Sequence, residues 1–252
     1  MREPDYSQNS RSKILDLEDQ NISDITQIGG LEKMVQLEEL NLSCGDITEI
    51  KGLNHLVNLK KLDLSFNKIT EIKGLDNLVK LEELNLTANK IKEIKGLNNL
   101  RNLEKLLFGD LHYGGGNEIS EIKGLDHIHN LRELNLSHNG ITEIKNLDKL
   151  VNLIGLDLED NGISEIKNLE NLKSLVFLNL RGNIITVLKG LESLDNLENI
   201  NVRANRIIDI SQFISPKKFG QIDISKNPLK NIDHLYDIKK KSRYHVEIIN
   251  CK

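Results

Sequence analysis

At 252 residues, with 34 basic and 38 acidic side chains and a formal net charge of −4, the chain carries no global field that would select nucleic acid or an anionic membrane. Its two cysteines, Cys44 and Cys251, fall near opposite ends, so no internal disulfide is expected. No apolar run reaches the length of a signal peptide or a membrane span, and the opening MREPDYSQNSRSK is polar throughout, which points to the cytoplasm, with the nucleus as the alternative.

Residues 1–13 make a poor strand and read as an N-terminal cap or frayed segment. From Leu15 an apolar anchor then returns at Leu40, Leu62, Leu84, Leu106, Leu134, Leu156, Leu178, Ile200, Ile222 and, as an eleventh, Tyr244. The steps are 25, 22, 22, 22 and 28 residues, followed by 22 five times. With each anchor counted as position 0, positions 0 and 2 are apolar and alternate with polar residues, the period of a short strand with one buried face. Repeat three shows this as Leu62 and Leu64 around Asp63. Position 5 is Asn in eight of ten repeats, from Asn67 to Asn227. Its amide both donates and accepts, so it can satisfy backbone groups freed where the strand turns. Gln20 and Gly45 interrupt that ladder, which makes repeats one and two the looser end. After the turn, Ile69, Ile72, Leu75, Leu78 and Leu81 point inward, and their three-residue spacing predicts 3₁₀ or short α turns on the outer face, as in GLDNLVKLEE (74–83). One such unit cannot bury its apolar face alone and needs neighbours on both sides.

Repeat five is six residues longer, GDLHYGGGNEI (109–119). Its loop leaves the end of a strand and should overhang the concave rim, which makes Asp110, His112 and Tyr113 candidate contacts. Gly114, Gly115 and Gly116 are followed by neither Lys-Ser/Thr nor a helix, so they are not a phosphate loop. Asn227-Pro228-Leu229 closes the last regular turn; the repeats occupy residues 14–235, and 236–252 form a C-terminal cap in which SRYHVEII (242–249) supplies a final strand. Eleven strands at about 4.8 Å each give an arc of roughly 50 Å, suited to a protein or long peptide and oversized for a metabolite.

In LDLSFNKITEIKGLDNLVKLEELNL (62–86) the pattern L-x-x-L-x-L-x-x-N is joined to N-x-I-x-x-I-x-x-L. Over roughly residues 14–235 the chain resembles the 22-residue class of leucine-rich repeat typified by the leucine-rich regulatory subunit of protein phosphatase 1 and shared by the internalins. The resemblance implies an α/β solenoid, a horseshoe or arc of about ten repeats, with parallel strands on the concave face and 3₁₀ or short helical turns on the convex face. It also implies a regulatory stack that binds its partner through aromatic and acidic side chains of the concave strands.

The concave columns follow from the register. Position 1 is Asp16, Asn41, Asp63, Asn85, Leu107, Asn135, Asp157, Asn179, Asn201 and Asp223; no two Asp are adjacent, so no paired-carboxylate acid/base site forms. Position −1 alternates Glu39, Lys61, Glu83, Lys105 and Glu133, charges that neutralise one another laterally, and then turns to Gly155, Phe177, Asn199 and Gln221. Phe177 with Arg181 and Arg203 has the composition of an interface hot spot. With Asn179, Asn201, Asp157, Glu159 and His138 these are the expected partner contacts, centred on repeats seven to nine. The competing reading holds both arginines in ion pairs with Glu159 and Asp160. Along the outer edge, Glu49 to Glu165 and Lys51 to Lys167 form parallel acidic and basic columns, read as a solvated edge. The sequons at Asn41, Asn85 and Asn135 lie inside strands, where a glycan would cover the concave face, in keeping with an intracellular chain.

No activated Ser or Cys stands at a suitable spacing from a His and an acid. The sequence therefore reads as a non-enzymatic protein–protein interaction scaffold resembling a regulatory subunit, monomeric, with a protein partner, no nucleic-acid or membrane partner, no cofactor and no metal. The alternatives are a phosphatase-regulatory subunit proper, or a metal-dependent enzyme in which Asp110, His112, His138 and Asp160 converge at the repeat-five loop.

Overall fold

Each 22-residue step becomes one three-residue strand. The computed structural model describes residues 11–109, 116–230, 233–241 and 247–249. The loop candidates Asp110, His112 and Tyr113 lie outside the described residues, as does Cys251. Among the described residues the strands are β1 (Ile14–Asp16), β2 (Glu39–Asn41), β3 (Lys61–Asp63), β4 (Glu83–Asn85), β5 (Lys105–Leu107), β6 (Glu133–Asn135), β7 (Gly155–Asp157), β8 (Phe177–Asn179), β9 (Asn199–Asn201), β10 (Gln221–Asp223) and β11 (Glu247–Ile249), with helix α1 (Asp233–Lys241) before the last. They form one parallel sheet in sequence order. Anchor pairs with anchor throughout the repeats, from Leu15↔Leu40 to Ile222↔Ile200.

The eleventh anchor differs from the expected Tyr244. β11 pairs Ile248 with Ile222, so the chain returns to the sheet four residues later than a 22-residue step would bring it. The reason is the nine-residue helix α1, which replaces the usual turns. A helix rises only about 1.5 Å per residue, so it needs more chain to cross the same distance. Residue 244 itself lies outside the described residues.

Behind the strands the apolar columns are buried to a few percent exposure or less, and they make one core running the length of the stack. The convex turns use bonds three residues apart: Leu56 N–H donates to the Leu53 carbonyl at 2.9 Å and Leu59 N–H to Leu56 at 3.0 Å. Among the described residues only repeat one continues such bonds into 3₁₀ helices, at Ile25–Gln27 and Leu31–Lys33, joined through Gly30 at φ 87°. These absorb the three extra residues of that repeat. The six extra residues of repeat five leave the register intact, since Leu106 still pairs with Leu134 and Asn117 still holds the ladder position.

That ladder is closed on both sides. Asn67 Oδ1 accepts from Ile47 N–H at 2.9 Å, while its Nδ2 donates to the Leu42 and Leu64 carbonyls at 2.9 and 3.1 Å. Asn89, Asn183, Asn205 and Asn227 repeat the same bonds one turn further on each time. A second asparagine ladder, not anticipated from the sequence, runs along the convex side. There Asn58, Asn102, Asn130, Asn152 and Asn196 donate to carbonyls of the preceding repeat at 2.7–3.0 Å.

Candidate functional site

The concave surface is built from position 1 outward. Nine of the ten residues there are Asn or Asp, and each accepts through Oδ1 from the backbone N–H two residues on, at 2.8–3.2 Å. This is an Asx-turn, in which a short polar side chain ends the strand by bonding its own backbone. Only two bonds cross between neighbouring position-1 side chains: Asn85 to Asp63 at 2.8 Å and Asn179 to Asp157 at 3.0 Å. The column is thus a row of strand stops more than a lateral ladder. Leu107 is the exception, an aliphatic side chain where every other repeat has a polar stop.

The charged columns satisfy themselves. On the concave side Lys61 reaches Glu39 at 3.4 Å, and Lys105 reaches Glu83 at 3.2 Å and Glu133 at 3.8 Å. On the outer edge Lys51 pairs back to Asp24 at 3.0 Å, and each later lysine pairs with the glutamate of the preceding repeat: Lys73–Glu49 2.8 Å, Lys95–Glu71 2.7 Å, Lys123–Glu93 2.9 Å, Lys145–Glu121 2.8 Å and Lys167–Glu143 2.9 Å. Hydrogen bonds from these lysines hold the carboxyls of Glu49, Glu71, Glu93, Glu121 and Glu143 below the usual range. Glu38, bonded first by Lys13 and then by Lys60, is brought down to about 2.

Between these matched charges lies an open trough of about 530 Å³ across β4 to β8. Phe66, Leu107, Ile154, Val176 and Phe177 supply its apolar lining, with Asn85, Lys105, Glu133, Asn135 and Asp157 as polar neighbours. Phe177 is 40% exposed and Phe66 38%. Of the partner contacts expected from the sequence, Phe177 and Asp157 line this trough. Arg181, Arg203, Asn179, Asn201, Glu159 and His138 lie outside its lining. Leu107 and Phe66 are the residues that sequence reasoning missed. Leu107 was visible as the single aliphatic residue of its column, whereas Phe66 sits at position 4, where the residue types vary freely.

The side chains outside the lining form their own network. Arg181 Nη1 donates to Glu159 Oε1 at 2.6 Å, and Asn179 Nδ2 donates to Glu159 Oε2 at 2.9 Å. Arg203 Nη1 donates to Ser225 Oγ at 3.0 Å and stands 4.0 Å from Asp223. Burial pushes the Asp157 carboxyl up, against the bonds it accepts from Glu159 N–H and from Asn179. His138, Glu159 and Asp160 each bring one ligand-type atom within 4.8 Å of the others, and His138 Nδ1 is 3.5 Å from Asp160 Oδ2. Both oxygens of Glu159 are already engaged by Arg181 and Asn179, so a guanidinium holds the place a cation would need.

These features define a class: a parallel-strand solenoid with its core behind one concave sheet. A family model described as leucine-rich repeats (2 copies) matches residues 35–77, 57–99 and 129–172. Over these residues the chain is similar to leucine-rich repeats, and its stacked strands give it the leucine-rich repeat fold. Among solved structures it is similar to internalin C2 of Listeria monocytogenes str. 4b F2365, with 29% identity and a TM-score of 0.65 over 73% of this chain and 78% of that one. A leucine-rich repeat protein of Leptospira interrogans shares 24% identity with a TM-score of 0.71, over 98% of this chain and 69% of the other. TLR13, solved in complex with ssRNA13, shares 20% identity with a TM-score of 0.69, over 92% of this chain and 38% of its own; these last two likenesses show the fold alone. No curated protein sequence matches the chain.

Proposed function

We propose that the chain is a non-enzymatic scaffold that holds a partner protein on its concave face, in the manner of a regulatory subunit. The observation that carries this reading is the apolar trough: charges beside it are paired, yet Leu107, Ile154, Val176 and Phe177 line an open concavity. Clustered apolar side chains exposed in a concavity mark an interaction site, because covering them recovers hydrophobic free energy. A protein partner is favoured over nucleic acid because the lysines of both columns stand against carboxylates, so neither column offers phosphates an unpaired basic stripe. The reading keeps the chain in the cytoplasm or nucleus, since a glycan on the sequon residue Asn85 would stand in the trough that this residue lines. A phosphatase-regulatory subunit is its narrower form, consistent with aromatic and acidic side chains, Phe177 and Glu133, on the concave strands.

Photo-crosslinking residues placed at 133 or 177 on the concave face, and at 57 or 151 on the convex face, test the proposal in the native cell. Discrete protein adducts from the concave pair alone are expected. Phe177→Ala should weaken capture of the crosslinked partner by about 2 kcal/mol without lowering the melting temperature. Adducts from the convex positions only, or none from the concave ones, would overturn the reading.

A further inference from the structure

Gly155 has no structural reason to be glycine. It sits in β7 with no left-handed φ, and a Cβ built on it meets nothing within 4 Å. Other glycines differ. A Cβ at Gly74 would lie 2.6 Å from the Ile50 carbonyl oxygen, and one at Gly109 would strike the Ser137 carbonyl. Glycine inside a strand weakens it, through backbone entropy and a missing side chain. The five preceding repeats place Glu or Lys at this position, and a sixth member would fill the space between Glu133 and Phe177. The glycine instead opens a notch there, beside Ile154 and Val176.

The shape of the surroundings decides what enters it. From Phe66, just beyond β3, to Phe177 on β8 there are five inter-strand steps, about 24 Å at roughly 4.8 Å each. Every strand between is hydrogen-bonded to a neighbour on both sides. The Oδ1 atoms of Asn85, Asn135 and Asp157 are taken by their own strand turns. An extended segment laid across this surface would find no open strand edge to pair with along its backbone, and unpaired buried backbone groups are costly. A helix satisfies its backbone internally, and about 24 Å corresponds to about sixteen helical residues. Glu133, with a side chain 60% exposed, is met by Lys105 only at 3.8 Å, which favours a cation beside the notch.

We propose that the trough seats the apolar face of an amphipathic helix from a partner protein, with one large apolar side chain entering the notch at Gly155 and a basic residue facing Glu133. This rests on the concave-face reading above and narrows it.

The probe is a displayed library of sixteen-residue helix-forming peptides with randomised i, i+3, i+4 and i+7 positions, beside a second library of proline-containing extended peptides, both selected on the full chain. Enriched helical sequences should carry large apolar anchors with Lys or Arg nearby. Gly155→Val should weaken their binding at least tenfold by titration calorimetry while melting at or above the wild-type temperature. Glu133→Lys should weaken the same peptides and do so less at high salt. If neither library yields a binder, or if binding ignores Gly155→Val, the proposal is overturned. Enrichment only of extended peptides that require the notch overturns the helix but leaves concave-face binding standing, whereas convex-only crosslinks sink both. A clear fall in the melting temperature of Gly155→Val would show that the glycine serves the fold, and the proposal falls with it.

Discussion

Asn183 shows how much one side chain holds in this architecture. It is 4% exposed, accepts from Ile163 N–H at 2.9 Å, and donates to the Leu158 and Leu180 carbonyls at 2.9 and 3.0 Å. Asn183→Ala leaves a buried N–H and two carbonyls short of partners where no turn can rearrange to serve them. A loss of about 3 kcal/mol in urea unfolding is expected; a loss below 1 kcal/mol would mean that water replaces the amide. This role was legible in the sequence, because an amide recurring at a fixed position can only be repeated for a repeated reason. The role of position 1 was legible only in part. Its Asn and Asp were expected to bond across strands, but most of them cap their own strand, and nothing in the residue type separates the two uses. The left-handed backbone at position 4 was not legible at all. Asp19, Cys44, Phe66, Ala88, His138, Asp160, Ala204 and Lys226 all hold φ between 47° and 58°. Such values follow the Asx-turn that precedes each of them, not the side chain that adopts them. Position 12 is the converse case. Gly52, Gly74, Gly96, Gly124 and Gly190 give way to Asn146 and Asn168. The amides of those two donate to the Ile122 and Ile144 carbonyls at 2.7 Å, turning a close approach into a hydrogen bond.

At the scale of one turn against the next, the outer-edge ion pairs are where the sequence and the structure diverge most usefully. Glu71 and Lys73 are neighbours in the sequence but 3.9 Å apart, whereas Lys73 reaches back to Glu49 at 2.8 Å. The lysine leans across the inter-strand gap, so each pair staples two repeats together instead of decorating one. The carboxyls of Glu49, Glu71, Glu93, Glu121 and Glu143 are depressed by those bonds. A depressed folded value means that the stapling is fully present above the ordinary carboxylate range and is lost as pH falls through the depressed values. Glu38 releases last, at about 2. Carbon-detected NMR titration should show these carboxyls protonating below exposed reference glutamates, with the difference shrinking in molar salt because the pairs are solvent-exposed. Titration at ordinary values in low salt would show that the lysines do not hold these positions in solution. The notch at Gly155 belongs to this scale too. The break in the Glu/Lys alternation was visible in the sequence. That the position holds empty space could be seen only once β6, β7 and β8 stood side by side.

Across the whole molecule the core is continuous, yet each repeat touches chiefly the one before and the one after, so stability should be distributed as in a linear chain of coupled units. The two ends of that chain are unequal. Gly45 has no side chain to bridge back to repeat one, where the ladder asparagine of every later described repeat does so, and the edge strand β1 has Ile14 59% exposed. Hydrogen exchange should therefore show residues 14–50 opening before residues 134–205. A cavity in the middle sharpens the same expectation. Leu156 is fully buried in β7, and Leu156→Ala should cost about 3 kcal/mol or more. In a nearest-neighbour stack, that loss lowers protection most in β6, β7 and β8 and less with each repeat beyond them. The mutant chain should then open from a second place, in its centre, while the ladder amides of β2 and β3 keep nearly their wild-type protection against local opening. An equal drop in protection from β1 to β10 would instead show that the eleven-stranded sheet unfolds as one cooperative body, and the linear description would have to be abandoned.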